Sequence, residues 1–171
     1  KLIHTFGKET PVGCPAPNFS YQLCIDTISD KEAANLDLSN YVLALSGAEH
    51  IRQETVDAFC QKFSASGFQR QAFRPCYGLA EATLLVSCSP ADSNINHRRV
   101  MREAISHNQF IDATDNVPTS ETATLVSSGK VSESQTAIIV NPNSGEIAAP
   151  QTIGEIWLAG DNIANGYWGQ Q

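Results

Sequence analysis

The sequence is short of the residues that several common functions require. Lys and Arg total 11 against 18 Asp and Glu, for a formal net charge of -7. Nucleic-acid binding runs on cations that neutralise phosphate, so it is not expected here. None of the five cysteines (Cys14, Cys24, Cys60, Cys76 and Cys88) forms a C-x-x-C pair, and their number is odd. His4, His50, His97 and His107 are scattered, with no partner at ligand spacing. These two absences leave no zinc site to argue from. The cysteines read as reduced thiols packed in a cytoplasmic protein, and the histidines as ordinary surface or loop residues. No apolar run approaches the ~20 residues that span a bilayer. The opening "KLIHTFGKET" lacks the apolar core of a signal peptide. There is no initiator Met, and "NGYWGQQ" stops just after an aromatic pair. We expect a fragment of a larger protein.

What is present suits a packed α/β unit. The chain has 171 residues, 42% of them hydrophobic, enough to bury a core. In "PAPNFSYQLCIDTISD", Phe19, Leu23, Cys24 and Ile28 recur at helical spacing behind a proline, which predicts a helix within 15–30. Tyr41 to Leu45 is a short, nearly continuous apolar run, as in a strand buried on both faces. Ile51, Val56, Phe59, Cys60 and Phe63 then mark an amphipathic helix ending near Gly67. "FQRQAFRPCYG" reads as a second strand, and "LAEATLLVS" as helical at first. The two strands start roughly thirty residues apart, the size of a βαβ unit. This order predicts a parallel sheet flanked by helices.

Residues 89–121 are polar and read as an insertion holding one helix around Arg98–His107. After Thr122 the pattern turns to β, with "NPNSG" as a hairpin loop, "GEIWLAG" as a strand and a short helical turn capped by Asp161. The expected division is therefore 1–121, α/β, and 122–171, a small antiparallel β subdomain. Trp157 and Trp168 are expected to be packing anchors of that subdomain.

Two loops carry the candidate chemistry. "ALSGAEHI" and "PCYGLAEA" each lie at the carboxyl end of a predicted parallel strand, where open α/β sheets bind ligands. Small residues at Ser46, Gly47, Ala48, Gly78 and Ala80 let a flat ligand approach the backbone. Tyr77 offers an aromatic face, a stacking contact of ~1–3 kcal/mol in nucleic-acid systems. Glu81 offers a hard oxygen ligand for a divalent cation beside phosphate. A second reading stands beside it, in which Gly78 caps a helix and Glu81 is the N3 carboxylate facing its open N–H groups. The same reading applies to Glu49, and the two roles are compatible. Cys76 lies in the loop, but no catalytic His follows in recognisable context, so nucleophilic catalysis is not expected.

Four stretches, "PAPNFSYQLC", "LALSGAEHI", "FRPCYGLAEATLLVS" and "GEIWLAGDNIANGYW", resemble the adenylate-forming superfamily, and among its members the fatty acyl-AMP ligases. They span most of the chain. Ala80, where many related CoA ligases have Thr, favours that subfamily. The resemblance implies an ATP site lined by Ser46, Gly47, Ala48, Glu49, Cys76, Tyr77, Gly78, Leu79 and Ala80, with Tyr77 stacked on adenine. It implies that Glu81 is catalytic through the Mg2+ of Mg-ATP, and that Asn18, Phe19 and Tyr21 lie near the acyl chain. The implied reaction forms acyl-AMP from a fatty acid and ATP, for transfer to an acyl carrier protein. The insertion falls roughly where such ligases carry extra sequence linked to that acceptor. A fatty acyl-CoA ligase and a non-catalytic nucleotide-binding or scaffold remnant are the alternatives.

The chain departs from the family pattern in places. His50 stands where Pro is common, and "SSGKV" replaces a Cys-Gly-Arg-Pro-like stretch. The phosphate loop, ribose-binding Asp, hinge and catalytic Lys of the family are not found in it, so the fragment alone is expected to be inactive. Arg98, Arg99 and Arg102 form the one basic cluster, read as the solvated face of a short helix paired with Glu103, with a carrier-protein docking patch as the sharper alternative.

Overall fold

The computed structural model describes residues 2–7, 9–91 and 93–169; the chain ends at Lys1 and Gln171 lie outside them. The elements are α1 (Leu2–Phe6), β1 (Val12–Ala16), α2 (Asn18–Thr27), α3 (Asp30–Ala33), β2 (Tyr41–Ser46), α4 (Gln53–Phe63), β3 (Phe73–Leu79), β4 (Leu84–Cys88), β5 (His97–Met101), α5 (Arg102–Ser106), β6 (Thr122–Val126), β7 (Lys130–Val131), β8 (Gln135–Val140) and β9 (Glu155–Gly160). Pro17, fixed at φ -72°, starts α2. Ser29 and Glu32 close a reciprocal capping box on α3. Gly67, at φ 86°, ends the turn after α4 in the left-handed region.

The main sheet runs in the order β1-β2-β3-β4-β7. Strands β1, β2 and β3 are parallel, with Ala44, Leu45 and Ser46 opposite Phe73, Arg74 and Pro75, so β2–α4–β3 is the expected βαβ unit. The edge position of β1 accommodates Pro15, which has no N–H to give a neighbour. Burial of β2 alternates, and Val42 is 47% exposed among the described residues, so the strand is not buried on both faces.

The expected helix after Gly78 does not form. A single 3-10 turn covers Ala80–Ala82, and Thr83 and Leu84 then take φ of 51° and 82°. Two successive left-handed residues end the helical path and reverse the chain. β4 therefore returns antiparallel along β3, and the sheet is mixed. Gly78 is a strand residue and no helix cap, so the N3 reading of Glu81 falls.

The core is an aromatic cluster. Phe59 meets Tyr21 and Phe68 edge-on, with ring centroids 5.0 and 5.1 Å apart, and Phe63 at 4.7 Å. Tyr21 also lies against Phe73 at 4.7 Å. α4 supplies two of these rings from one face and so seats itself on β2 and β3. The buried phenol of Tyr21 donates to Leu45 O at 2.9 Å, which satisfies it.

The insertion also differs from expectation. Arg98 and Arg99 lie on β5, which pairs with β6 from His97↔Val126 to Met101↔Thr122, and only Arg102–Ser106 is helical. This pairing crosses residue 122. The three guanidiniums are not a solvated helix face paired with Glu103. Arg98 forms an ion pair with Asp112, Arg99 donates to Val117 O, and Arg102 donates to Thr122 O at 2.7 Å. They tie the polar segment to the strand.

β8 and β9 pair antiparallel, and the "NPNSG" loop closes with Gly145 N donating to Asn141 O at 2.9 Å. Among the described residues Asp161 opens a hydrogen-bonded turn, with Ile163 N donating to Gly160 O at 3.1 Å, and no helix. Trp157 is 49% exposed and Trp168 wholly exposed, so neither anchors packing among the described residues.

Phe59→Ala removes the centre of the ring cluster and is expected to cost about 3–5 kcal/mol, measured by denaturant unfolding. Burial pushes the Cys60 thiol from 9 up to about 11. A thiol raised in the folded state leaves stability intact below its unfolded value. That stability is lost as pH climbs through the folded value. Cys60→Ala should therefore flatten the decline of stability between pH 9 and 11, read as the slope of unfolding free energy against pH.

Candidate functional site

A cleft of about 260 Å³ opens at the carboxyl ends of the three parallel strands. Its walls are the turn after β1 (Pro15, Ala16 and Pro17), the loop after β2 (Gly47 and Ala48, with Leu45), and Cys76, Tyr77 and Gly78 of β3. Leu84 and Leu85 of β4 complete it. The two candidate loops are thus brought together, because β2 and β3 are parallel neighbours and end on the same side.

Each small residue has an identifiable task. A Cβ on Gly47 would lie 2.8 Å from Cys76 Sγ and 3.0 Å from its carbonyl, so the loop folds tightly onto β3. Ala48 takes φ 66°, a strained conformation of the kind found at ligand-binding turns. A Cβ on Gly78 would fall 1.7 Å from Leu84 O. Glycine at 78 is thus demanded by the neighbouring strand, independently of any ligand. Ser46 is fully buried, its Oγ without a partner among the described residues, and its carbonyl accepts from Cys76 Sγ at 3.3 Å. Burial pushes the Cys76 thiol up, which disfavours its thiolate.

The remaining candidates lie elsewhere. Leu79 and Ala80 lead out of the cleft towards an exposed turn. Glu49 accepts from the Phe19 amide at 2.5 Å, so it fastens the loop to the start of α2 and does not line the cleft. Asn18 is buried and accepts from the Arg52 amide at 3.0 Å, joining α2 to the approach of α4. Phe19, 61% exposed, borders a second depression shared with Asn18, Leu23 and Glu49. Tyr21 is in the aromatic core and reaches neither hollow.

Glu81 sits exposed on the turn between β3 and β4. The segment after β9 holds that turn by four hydrogen bonds. Ala164 N donates to Glu81 O (2.7 Å), Asn162 Nδ2 to Ala82 O (2.6 Å), Thr83 Oγ1 to Asn162 O (2.7 Å), and Tyr167 Oη to Glu81 Oε1 (2.5 Å). The phenol holds the Glu81 carboxyl below the usual carboxylate range, and its own ionisation is raised in return. Sequence reasoning missed Tyr167, because a partner 86 residues away leaves no local signal. It also missed β1 and with it Pro15 and Ala16, since Gly13 and Pro15 spoil the strand pattern of "VGCPA".

The residues present fit the two groups the sequence implied. An aromatic wall, close-packed glycine backbone and apolar leucines suit a flat ring such as adenine. Among the described residues, the cleft lining contains no Lys or Arg to neutralise phosphate. No cluster of three His, Cys, Asp or Glu exists among the described residues. An exposed single carboxylate suits magnesium, which keeps several waters and takes one or two carboxylates beside phosphate.

Comparison with known proteins places this geometry in context. The family described as AMP-binding enzyme matches residues 10–168. Over 168 residues the chain is 37% identical to a medium-chain-fatty-acid–[acyl-carrier-protein] ligase, JamA, of Moorena producens, covering 98% of this chain and 28% of the relative. It is 34% identical over 168 residues to a putative fatty-acid–CoA ligase of Mycobacterium tuberculosis, with the same coverages. The crystal structure of a fatty acid AMP ligase from Legionella pneumophila superposes with a TM-score of 0.89 at 36% identity, over 99% of this chain and 29% of that one. A fatty acyl-adenylate ligase from the same organism, solved with acyl adenylate and pyrophosphate, gives the same values. The chain thus spans under a third of the length of these relatives.

Gly78→Ala drives a methyl into the Leu84 carbonyl and should cost about 3 kcal/mol or more. Hydrogen exchange should show the loss concentrated in β3 and β4.

Proposed function

This chain belongs to the AMP-binding enzyme family, and from that membership we propose that it forms the nucleotide-binding part of a fatty acid-activating ligase. The observation that carries the proposal is the cleft in which Gly47, Ala48, Cys76, Tyr77 and Gly78 converge, beside the turn that bears Glu81. The substrates are a fatty acid and ATP. A carboxylate oxygen of the acid bonds to the α-phosphorus, the bond to the β-phosphate oxygen breaks, and acyl-AMP and pyrophosphate result.

In this reading Tyr77 stacks on adenine, and the backbone of Gly47 and Ala48 closes over the ring edge. The apolar leucines exclude water from that face, which strengthens polar contacts at the rim. Glu81 would hold magnesium, which when bound neutralises charge on phosphate oxygens. Asn18 and Glu49 set the helix and loop between them, and Phe19 is the exposed apolar side chain that offers contact to an acyl chain. Tyr21 supports this region from the core. Positioning and charge neutralisation account for most of the rate in such a transfer.

Similarity to a ligase named for acyl carrier protein favours that protein as the acyl acceptor. Similarity to a putative CoA ligase keeps CoA as the second reading. The expected site of action is the cytoplasm, with 1–121 and 122–171 as two parts of one nucleotide-binding domain.

The test is fatty-acid-dependent ATP–pyrophosphate exchange in the full-length protein, with Glu81→Ala alongside. Exchange that falls about a hundredfold or more in the variant is the expected result. Exchange untouched by the variant removes the metal role of Glu81, and no exchange with any fatty acid leaves the non-catalytic binding module. Offering carrier protein and CoA together to the acyl-adenylate then separates the two acceptors.

A further inference from the structure

Three of the four hydrogen bonds that join the segment after β9 to the Glu81 turn fix backbone carbonyls. They keep the turn in place whatever the Glu81 side chain does. The fourth is different, because it reaches the carboxylate itself. Tyr167 is 66% exposed, so its ring adds little burial, and its hydroxyl is the part with a defined partner. No Lys, Arg or His forms an ion pair with Glu81 among the described residues. An exposed glutamate on a one-turn helix samples several rotamers, and fixing it for a ligand costs up to about 2 kcal/mol of side-chain entropy. A phenol bound to one oxygen removes part of that cost in advance.

We propose that Tyr167 is a positioning residue for the cation-binding carboxylate of Glu81, holding Oε1 so that the other oxygen is presented to a divalent cation. The inference rests on the reading of Glu81 as a magnesium ligand. It assigns a task to the "NGYW" segment that its turn chemistry alone does not require. It also ties cation binding to the β8–β9 pair, since Asn162, Ala164 and Tyr167 all follow β9. Partners that orient a metal-binding carboxylate in this way commonly change metal affinity by tenfold or more when removed.

The experiment uses the full-length protein, with Mn2+ titrated by electron paramagnetic resonance in the presence of a non-hydrolysable ATP analogue. Tyr167→Phe keeps the ring and removes the hydroxyl. It should weaken Mn2+ binding about tenfold and raise the Mg2+ concentration for half-maximal exchange to match. Metal-free analogue binding and the thermal midpoint should not move. Wild-type Mn2+ affinity in Tyr167→Phe, with affinity lost in Glu81→Ala, overturns the role of Tyr167 alone. Wild-type affinity in Glu81→Ala overturns the metal reading itself, and the inference with it. A lowered thermal midpoint and weaker metal-free analogue binding in Tyr167→Phe would make the residue structural, which also overturns it.

Discussion

The backbone of β3 and β4 comes so close at Gly78 that no side chain fits between Gly78 and the carbonyl of Leu84. Much of the candidate site follows from that one steric constraint. The antiparallel return lets Leu84 and Leu85 face the same cleft as Tyr77. It leaves Glu81 at the apex of the turn, exposed and clear of the sheet. The parallel side of the cleft is set by a different force, the burial of aromatic rings. Phe59 of α4, backed by Phe63, presses on Tyr21 and Phe73, and this packing keeps β2 and β3 in step so that their ends coincide.

Polar contacts do the finer adjustment. Glu49 binds the Phe19 amide in the first turn of α2, and Asn18 answers by accepting from the approach to α4. The loop between β2 and α4 is therefore tied to α2 from both sides, through Glu49 and through the Arg52 amide. The arginines of the insertion follow the same economy. Each of the three finds an acceptor, Arg98 and Arg99 within the insertion and Arg102 on β6, which turns a polar segment into an ordered edge of the fold.

The parts legible in the sequence are those governed by local pattern. Apolar spacing located α2, β2 and α4, and glycine near a strand end located both loops. Thr83 and Leu84 defeated the pattern, since neither is a residue that announces a left-handed backbone, and a helix was expected where the chain turns back. "HRRVMRE" carries helical composition, yet pairing with Thr122–Val126 makes its first five residues a strand. Such pairing is a tertiary preference that overrides propensity. The two tryptophans read as core residues by type alone, and their exposure is a property of neighbours that sequence position does not encode. The partners of Glu49 and Glu81 lie 30 and 86 residues away, beyond the reach of any window along the chain.

The contact between Tyr167 and Glu81 also bears on the order in which the molecule is made. It closes a long loop, and long-range contacts form late because chain entropy must be spent before they return anything. On the ribosome the strands that wall the cleft emerge well before Tyr167 does. The cleft can thus take shape on the nascent chain, while the carboxylate beside it acquires its orienting partner only after β9 has been synthesised and docked.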